Sequence, residues 1–319
     1  MRVRGALILL VAALFALSLA VGPAGMAALW DRTGPMPLIL WEIRLPRAVL
    51  ALVIGAGLGL AGAAMQGFLR NPLAEPGILG VSGMAALGAV LTIHLGLATA
   101  LPLALPLAAL TGAVIGVGLI LGLAGPRGGS VTLILAGIAI SALSGALTAL
   151  VLNLAPNPWA ANDIVFWMMG SLADRSWVHV ALAVPFIAVG GAVLLIQGRA
   201  LDALTLGEDA AQSLGVRMPR LRLALVLGTA AVVGAGVAVA GAIGFIGLVV
   251  PHLLRPLAGH RPGALLPLAA LGGAALLLAA DVAVRVILPS GDLKLGVLTA
   301  LVGSPLFLHL IWQMRRGRV

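Results

Sequence analysis

Few residues of this 319-residue chain are of types that could do chemistry, and they lie between long apolar runs. The chain has no cysteine, which excludes disulfides and thiolate metal sites. Its one lysine, Lys294, lacks the G-x-x-x-x-G-K-[ST] setting of a nucleotide-binding P-loop, so ATP hydrolysis by this chain is excluded. No His, Asp or Glu cluster has metal-ligand spacing. We therefore expect no catalytic residue, no metal site and no cofactor bound by the chain itself.

The acidic residues indicate that the chain is not coupled to an ion gradient. Ion-coupled transporters place ionisable groups near the centre of the bilayer. Every Asp and Glu here falls in a predicted loop or at the end of an apolar run. The remaining ionisable candidates are histidines expected near the membrane interfaces: His94, His179, His252 and His309. If the chain moves a solute, we expect another subunit to supply the energy.

The polar loop 199–222 has the pattern of a docking surface. It predicts one or two short amphipathic helices that end at Gly215. Small residues in the pattern Glu208-x-Ala210-Ala211-x-x-x-Gly215 would allow close approach, and leucines would anchor the helix in a groove of another protein. The predicted anchors are Leu201, Leu204, Leu206 and Leu214. An ordinary helix at the membrane surface is the alternative.

A polar turn from Gln66 to Gly80 separates two apolar runs. Pro72 and Pro76 lack amide donors and forbid an uninterrupted helix, while Gly77 permits close approach of another chain segment. We therefore expect the chain to reverse its direction at the membrane surface in this turn.

Four charged residues flank two further apolar runs. Arg44 and Arg47 precede the second run, and Arg285 follows Asp281 by four residues at the end of the ninth. The four-residue spacing of Asp281 and Arg285 predicts an i, i+4 ion pair, which contributes only a few tenths of a kcal/mol to stability on an exposed helix. From the residues alone, these arginines could also anchor the helices in lipid headgroups.

The elements that carry these residues must be membrane helices. The chain is 61% hydrophobic and 9% charged, with a mean hydropathy of +1.17, as in polytopic membrane proteins. Membrane barrels show alternating segments of about ten residues, whereas these runs are unbroken, so we predict one all-α domain over residues 1–319. The ten predicted spans are 5–29, 48–69, 77–96, 102–124, 130–154, 177–198, 221–242, 244–257 (short), 263–284 and 296–314.

The distribution of basic residues predicts the orientation. With the amino terminus inside, most of the 19 basic residues fall in inner loops, and the net charge of +9 faces the cytoplasm. Both termini are then cytoplasmic, and the high basicity requires no nucleic-acid partner. The first apolar run could also be a secretory signal, but it exceeds the ~7 to 15 residues of a typical signal core, which favours a retained span.

Three stretches of the sequence resemble one protein family. Arg70 to Gly80 reads R-N-P-L-A-E-P-G-I-L-G, Arg44 to Arg47 reads R-L-P-R, and Gly244 to His252 reads G-F-I-G-L-V-V-P-H. Together they are similar to the FecCD-type permeases of bacterial ABC importers, which take up cobalamin, haem and ferric siderophores. The resemblance covers nearly the whole chain, from Arg44 to about Leu310.

This resemblance implies the type II ABC importer permease fold, whose two halves form an inverted repeat. The segment Leu45-Pro46-Arg47 echoes Met218-Pro219-Arg220 in the opposite predicted orientation, as such a repeat requires. The resemblance also implies a homodimer in the bacterial inner membrane, with two cytoplasmic ATPase subunits that carry ATP-Mg and one periplasmic substrate-binding protein. The cargo would be an iron complex or cobalamin, and no residue pattern separates these possibilities.

The same resemblance gives roles to three groups of residues. The loop 199–222 would couple to the ATPase through its four leucines together with Glu208, Ala210, Ala211 and Gly215. The binding protein would dock on Arg44, Arg47 and Arg285, with Asp281 orienting Arg285. The translocation path and its gate would be lined by Gly128, Gly129, Ser130, Thr132, Ser141, Ser144 and Thr148. Hydrogen bonding between packed helices is the alternative role for the hydroxyl groups.

Two other functions stay open at this stage. An ion-coupled secondary transporter would need a carboxylate buried in the membrane, and the sequence predicts none. A passive channel for a small solute would not need a loop with the coupling pattern of Glu208 to Gly215.

Overall fold

The computed structural model describes residues 2–22, 36–101, 103–125, 129–288 and 293–315. Within these ranges all regular secondary structure is helical, which confirms the predicted all-α class. The α-helices are α1 Arg2–Ala20, α2 Met36–Ile39, α3 Leu45–Leu69, α4 Val81–His94, α5 Leu97–Ala100, α6 Ala104–Ala124, α7 Ser130–Asn153, α8 Pro158–Met168, α9 Trp177–Ile196, α10 Gly198–Leu204, α11 Glu208–Ser213, α12 Met218–Ala240, α13 Ile246–Leu254, α14 Pro262–Ile287 and α15 Leu295–Arg315.

Seven helical segments of the described chain are long and apolar enough to cross a membrane. They are Arg2–Ala20, Pro37–Leu69, Ala104–Ala124, Ser130–Asn153, Trp177–Ile196, Met218–Ala240 and Pro262–Ile287. Two shorter apolar segments, Val81–His94 and Leu295–His309, and the nine-residue α13 accompany them. The predicted polytopic helical membrane architecture is therefore confirmed.

Helix α3 lies at the centre of the bundle, where it packs against α9, α12, α13 and α14. The backbones of α3 and α14 touch. The carbonyl of Gly273 occupies the place that a Cβ on Gly55 would take, and the carbonyl of Ala269 blocks a Cβ on Gly59 in the same way. Small residues permit this approach in lipid, where close packing holds helices together. The contact fixes the side chains of α3 relative to those of α14.

The two ends of α1 define two sides of the bundle. We call the side at which α1 begins the near side, and the side at which it ends the far side. Helix α3 starts on the far side, because Arg44 reaches the last turn of α1. The short helix α10 lies on the near side, where Gly198 adjoins Gly263 in the first turn of α14.

The second span extends further toward the far side than the sequence predicts. Its helix is continuous from Pro37 to Leu69, whereas the predicted span begins at residue 48. Pro46 has no amide to donate, and a π-helical turn, Leu40–Arg44, absorbs this loss: the amide of Leu45 bonds to the carbonyl of Leu40, five residues back. Arg44 and the nearby Arg47 consequently lie within a helix rather than in a loop before it.

The turn after α3 begins at the near end of the bundle, where Arg70 and Asn71 are exposed, but the chain does not stay there. The segment 70–80 folds back into the bundle, where the Pro76 ring and the Leu58 carbonyl both lie against Gly247. Leu58 stands about 16 Å from the near end of α3, at ~1.5 Å of rise per residue. A Cβ at position 247 would lie 2.7 Å from the Pro76 ring, so the glycine makes room for the re-entrant turn.

Candidate functional site

The predicted docking loop forms a near-side surface made of α10 and α11. Leu201 and Leu204 of α10 are buried, and α10 packs against α3 and α14. Leu206 and Leu214 are 68% and 64% exposed. The four leucines predicted as anchors therefore divide into two groups: two hold the loop to the bundle, and two are exposed to contact another molecule.

Two glycines bracket the short helix α11. Gly207 (φ 106°) and Gly215 (φ 90°) adopt left-handed conformations that favour glycine. A Cβ at either position would meet no atom within 4 Å. These glycines are thus required by the backbone conformation, and the space around them is open. Within α11, Ala211 is buried while Ala210 is partly buried.

Asp202 fixes α10 to the beginning of α14. Its carboxylate accepts hydrogen bonds from the Arg261 guanidinium at 2.9 Å and from the Gly263 amide at 2.7 Å. The Gly263 amide belongs to the first turn of α14, whose donors have no partner within the helix. Sequence reasoning missed Asp202 because its two partners lie 59 and 61 positions away in the chain.

A buried polar contact joins α3 and α13. The Gln66 side-chain nitrogen donates to the carbonyls of Leu248 at 3.1 Å and Gly247 at 3.5 Å, and its oxygen accepts from Arg255 at 2.5 Å. Burial lowers the pKa of the Arg255 guanidinium from its ordinary value. Because Gln66 uses both ends of its amide on the α13 segment, α3 and α13 are held together at their near-side ends.

The re-entrant segment carries an acidic side chain into the bundle. The Glu75 carboxylate accepts a hydrogen bond at 3.1 Å from the amide of Phe245, which precedes α13. Phe245 has φ 68°, a conformation that is strained for a residue other than glycine. Glu75 lines a cavity of about 320 Å³ together with Ile54, Leu58 and Ser82. Glu75 is in a loop, as the sequence predicts, but that loop lies inside the bundle.

A group of charged residues lies on the far side, where α1, α3 and α14 meet. We call Ser18, Arg44, Arg47, Asp281 and Arg285 the far-side cluster. Asp281 is fully buried and accepts from Arg47 Nε at 2.8 Å and from Arg285 Nη2 at 2.7 Å. The i, i+4 contact predicted between Asp281 and Arg285 is present. Because the carboxylate is buried, this pair differs from the weak surface pair that the spacing alone suggests.

Two arginines of the far-side cluster reach the end of α1. Arg44 Nη1 donates to the carbonyls of Leu19 at 2.9 Å and Ala20 at 3.1 Å. Arg285 Nη1 donates to the carbonyls of Ser18 at 2.9 Å and Val21 at 2.8 Å, and its Nη2 donates to Ser18 Oγ at 2.6 Å. These carbonyls belong to the last turn of α1 and to Val21 just after it, where they lack intrahelical partners. Sequence reasoning did not find Ser18, because a single serine within an apolar run gives no signal.

The hydroxyl groups of α7, the fifth predicted span, differ in how deeply they are buried. Ser144 and Thr148 are buried, and Ser144 lies beside Gly83 of α4 and donates to the Ser141 carbonyl at 3.0 Å. Gly129 and Thr132, at the near end of α7, are exposed, and Ser130 and Ser141 are partly buried. Gly128 lies outside the described residues. The exposed face of α7 is otherwise aliphatic and carries Val131, Leu135, Ile138, Leu143, Leu147 and Leu150.

Comparison with known proteins gives one consistent result. The family model described as the FecCD transport family matches residues 5–313. A hemin transport system permease protein of Yersinia pestis, HmuU, is 41% identical over 94% of this chain and 93% of its own length. The vitamin B12 import system permease protein BtuC of Vibrio cholerae is 41% identical over 88% of this chain and 83% of its own length. The Fe(3+) dicitrate transport system permease protein FecD of Escherichia coli is 40% identical, covering 95% of each chain.

A solved structure matches over almost the entire length. It is described as an inward-facing conformation of a metal-chelate type ABC transporter, and it covers 98% of this chain and 99% of its own, with a TM-score of 0.89 and 32% identity. The residues that the family model matches, 5–313, include the near-side loop and the far-side cluster.

Proposed function

Because the chain belongs to the FecCD transport family, we propose that it is the permease subunit of an ATP-driven importer that moves a metal chelate inward by alternating access. The observation that carries this proposal is the near-side loop. It combines an attachment to the bundle, through the buried Leu201 and Leu204 and the partly buried Asp202, with two exposed leucines that flank the short helix α11. A subunit without its own nucleotide site needs such a surface to receive work from an ATPase.

The near-side loop is suited to helix-in-groove docking. Leu206 and Leu214 would be the apolar anchors, and Glu208, Ala210 and Gly215 lie between or beside them. Leu201, Leu204 and Ala211 would instead transmit the movement, because their buried side chains connect the loop to the bundle. The ATPase partner would hold ATP-Mg, and the permease itself would hold no cofactor.

The complete transporter would contain two copies of this chain, two ATPase subunits and one substrate-binding protein. The near side would face the cytoplasm with both termini, and the far side would face the periplasm of a bacterial inner membrane. The concentration of arginines in near-side segments, such as the loop 199–222, supports this orientation, since basic residues favour the cytoplasmic side. Nucleic acid would not be a partner. The binding protein would meet the far side at or near Arg44, Arg47 and Arg285.

The cargo would be a ferric siderophore, haem or cobalamin. The relatives named for hemin, vitamin B12 and ferric dicitrate transport have nearly equal identities to this chain, between 40% and 41%, so similarity alone does not select one of them. The path would run beside α7, at Gly128, Gly129, Ser130, Thr132 and Ser141. For Ser144 and Thr148, burial supports the alternative role in helix packing.

Uptake into proteoliposomes tests the proposal. The purified chain would be reconstituted with its ATPase and binding protein, and labelled ferric siderophore, haem and cobalamin would be offered with and without ATP. We expect ATP-dependent accumulation of one cargo. The double variant Glu208→Arg with Gly215→Trp should abolish accumulation and ATPase association, whereas the exposed neighbour change Ser213→Ala should leave both intact. Full activity of the double variant would contradict the coupling assignment.

Glu75 keeps an ion-coupled secondary transporter as the second candidate, because it places a carboxylate beside an interior cavity. The same proteoliposomes distinguish the two functions. Accumulation driven by a proton or sodium gradient without ATP, and lost in Glu75→Gln, would favour the secondary transporter. Accumulation that requires ATP and is indifferent to the ion gradients would exclude it.

A further inference from the structure

A pocket on the near side carries three arginines to which the proposed function gives no role. It lies between the end of α9, the helix α10, the chain after α11 and the first turn of α12, and its volume is about 540 Å³. Sites for small molecules typically have volumes of about 300 to 1,000 Å³. The arginines are Arg199, Arg217 and Arg220, and we call this space the near-side pocket.

The three arginines have no partner within the described part of the chain. All three are exposed, and none of their guanidinium groups makes an ion pair or a hydrogen bond with another described residue. Of the described residues that line the pocket, none is acidic. Asp202 of α10 is held instead by Arg261 and Gly263, and Glu208 and Asp209 lie in the first turn of α11. The pocket therefore presents positive charge that a bound anion could neutralise.

The position of two of these arginines on α12 favours an anion further. Helix α12 has 23 residues, with Arg217 at its N-cap, Arg220 in its first turn and no acidic residue in that turn. The N-terminus of a helix carries a partial positive charge and free amides, so cations are unfavourable there and anions are stabilised. The charges at this end of α12 repel one another in the chain alone, and a bound anion would relieve the repulsion.

The surroundings of the pocket indicate that this anion belongs to a lipid. Ile196 lines the pocket and is 76% exposed at the end of α9, a helix long enough to cross the membrane. On α12, the exposed Leu223 and Leu227 follow Arg220 by three and seven residues, so all three share one face of the helix. An exposed apolar face of a membrane span contacts acyl chains, and an arginine at its end reaches the headgroups.

We propose that the near-side pocket binds the phosphate of an anionic phospholipid through Arg199, Arg217 and Arg220. Guanidinium groups bind phosphate oxygens through paired N–H donors. Leu214 and Gly215 also line the pocket, so the bound lipid would contact the loop 199–222 and hold it against the membrane. The lipid site does not depend on the proposed function, whereas its effect on coupling to an ATPase rests on that function.

Lipid binding by the purified chain tests the site. The chain in detergent would be titrated with phosphatidylglycerol, phosphatidylcholine or inorganic phosphate, and native mass spectrometry would measure the bound fraction. The double variant Arg217→Gln with Arg220→Gln should weaken phosphatidylglycerol binding roughly 20-fold, at about fivefold for each arginine near an anionic headgroup. The matched control, Arg2→Gln with Arg4→Gln, removes two exposed near-side arginines of α1 outside the pocket and should change the affinity little.

ATP-dependent uptake tests the effect of the lipid on coupling. The chain would be reconstituted with its ATPase and binding protein in phosphatidylcholine vesicles, with and without phosphatidylglycerol. We expect the parent chain to transport faster when phosphatidylglycerol is present, and the pocket double variant to lose this difference. Arg199→Gln, which removes one of the three arginines, should reduce the difference by less. ATPase association in phosphatidylcholine alone should be equal in the parent chain and the pocket variant.

Distinct results would overturn each part of the proposal. Equal loss of phosphatidylglycerol binding in the two double variants would show diffuse attraction to the surface instead of a site. Binding of inorganic phosphate as strong as that of phosphatidylglycerol would assign the pocket to a free anion. Weaker ATPase association of the pocket variant in phosphatidylcholine alone would show that these arginines bind the ATPase instead. Uptake that does not respond to phosphatidylglycerol would overturn the effect on coupling, whereas no ATP-dependent uptake in any lipid would contradict the proposed function and leave the binding result standing.

Discussion

The near-side loop and the far-side cluster are built in opposite ways. The loop buries leucines and exposes its ion pair, in which Arg261 is 72% exposed. The far-side cluster buries its ions, with Asp281 at 0% exposure. A contact surface that rests on buried apolar side chains can expose other apolar side chains to a partner. One that rests on buried ions depends on every member of the cluster remaining paired.

Removal of Asp281 should therefore have the largest effect on stability. Asp281→Ala leaves the guanidinium groups of Arg47 and Arg285 without their carboxylate in a buried site, and we expect a loss of about 3 to 5 kcal/mol in the free energy of unfolding. Thermal unfolding in detergent, compared with the parent chain, measures the change. A loss below about 1 kcal/mol would show that the cluster behaves like a surface ion pair.

Removal of a buried leucine of the near-side loop should have the second largest effect on stability. Leu204→Ala removes a side chain that is 1% exposed, and a cavity left beneath α10 is expected to cost about 2 kcal/mol or more. The same unfolding assay applies. Limited proteolysis of the loop 199–222 should become faster, since α10 would be held less firmly. Unaltered proteolysis and stability would show that α10 does not depend on this attachment.

The near-side ion pair of Asp202 and Arg261 should contribute less to stability than Asp281 or Leu204. Asp202→Ala removes the exposed contact to Arg261 and the bond to the Gly263 amide, and we expect a loss of about 1 kcal/mol. Arg261→Gln, which removes only the exposed ion pair, is the matched control and should have a smaller effect. If both variants lost as much as Asp281→Ala, burial would not be what distinguishes the two regions.

The exposed leucines should have the smallest effect on stability and a large effect on coupling. Leu206→Ala combined with Leu214→Ala should change the free energy of unfolding by no more than about 0.5 kcal/mol, because these side chains are mostly exposed. We expect ATP-dependent uptake to fall about tenfold, as for the loss of anchors from a docking helix. Uptake at the parent rate would show that the ATPase does not use these leucines.

The two regions also differ in how well sequence reasoning could find them. The near-side residues lie within 199–222, so a local pattern of small and apolar residues indicates a docking helix, although it does not reveal which leucines are buried. The far-side cluster joins residues from three separate spans, and Arg47 and Asp281 are 234 positions apart. Resemblance to a family pointed to its charged members, but Ser18 and the end of α1 were missed.

The re-entrant segment 70–80 shows a second limit. Its prolines and glycines correctly indicate that α3 cannot continue, and the helix ends at Leu69. They do not indicate where the chain goes next, because a turn at the surface and a turn inside the bundle require the same local conformations. The space beside Gly247 decides the outcome, and that glycine lies in a distant part of the chain.

Hydropathy along the chain thus determined that the protein is a helical membrane protein, because each span must satisfy its backbone internally and shows this as an unbroken apolar run. Prolines, glycines and polar residues between the apolar runs indicated where helices end, and three sequence motifs indicated the family. Only the tertiary structure decided which arginines are already fully bonded, which leucines are exposed, and that Glu75 lies in the interior. These properties depend on distances between residues far apart in sequence, and a single sequence without its packing does not contain those distances.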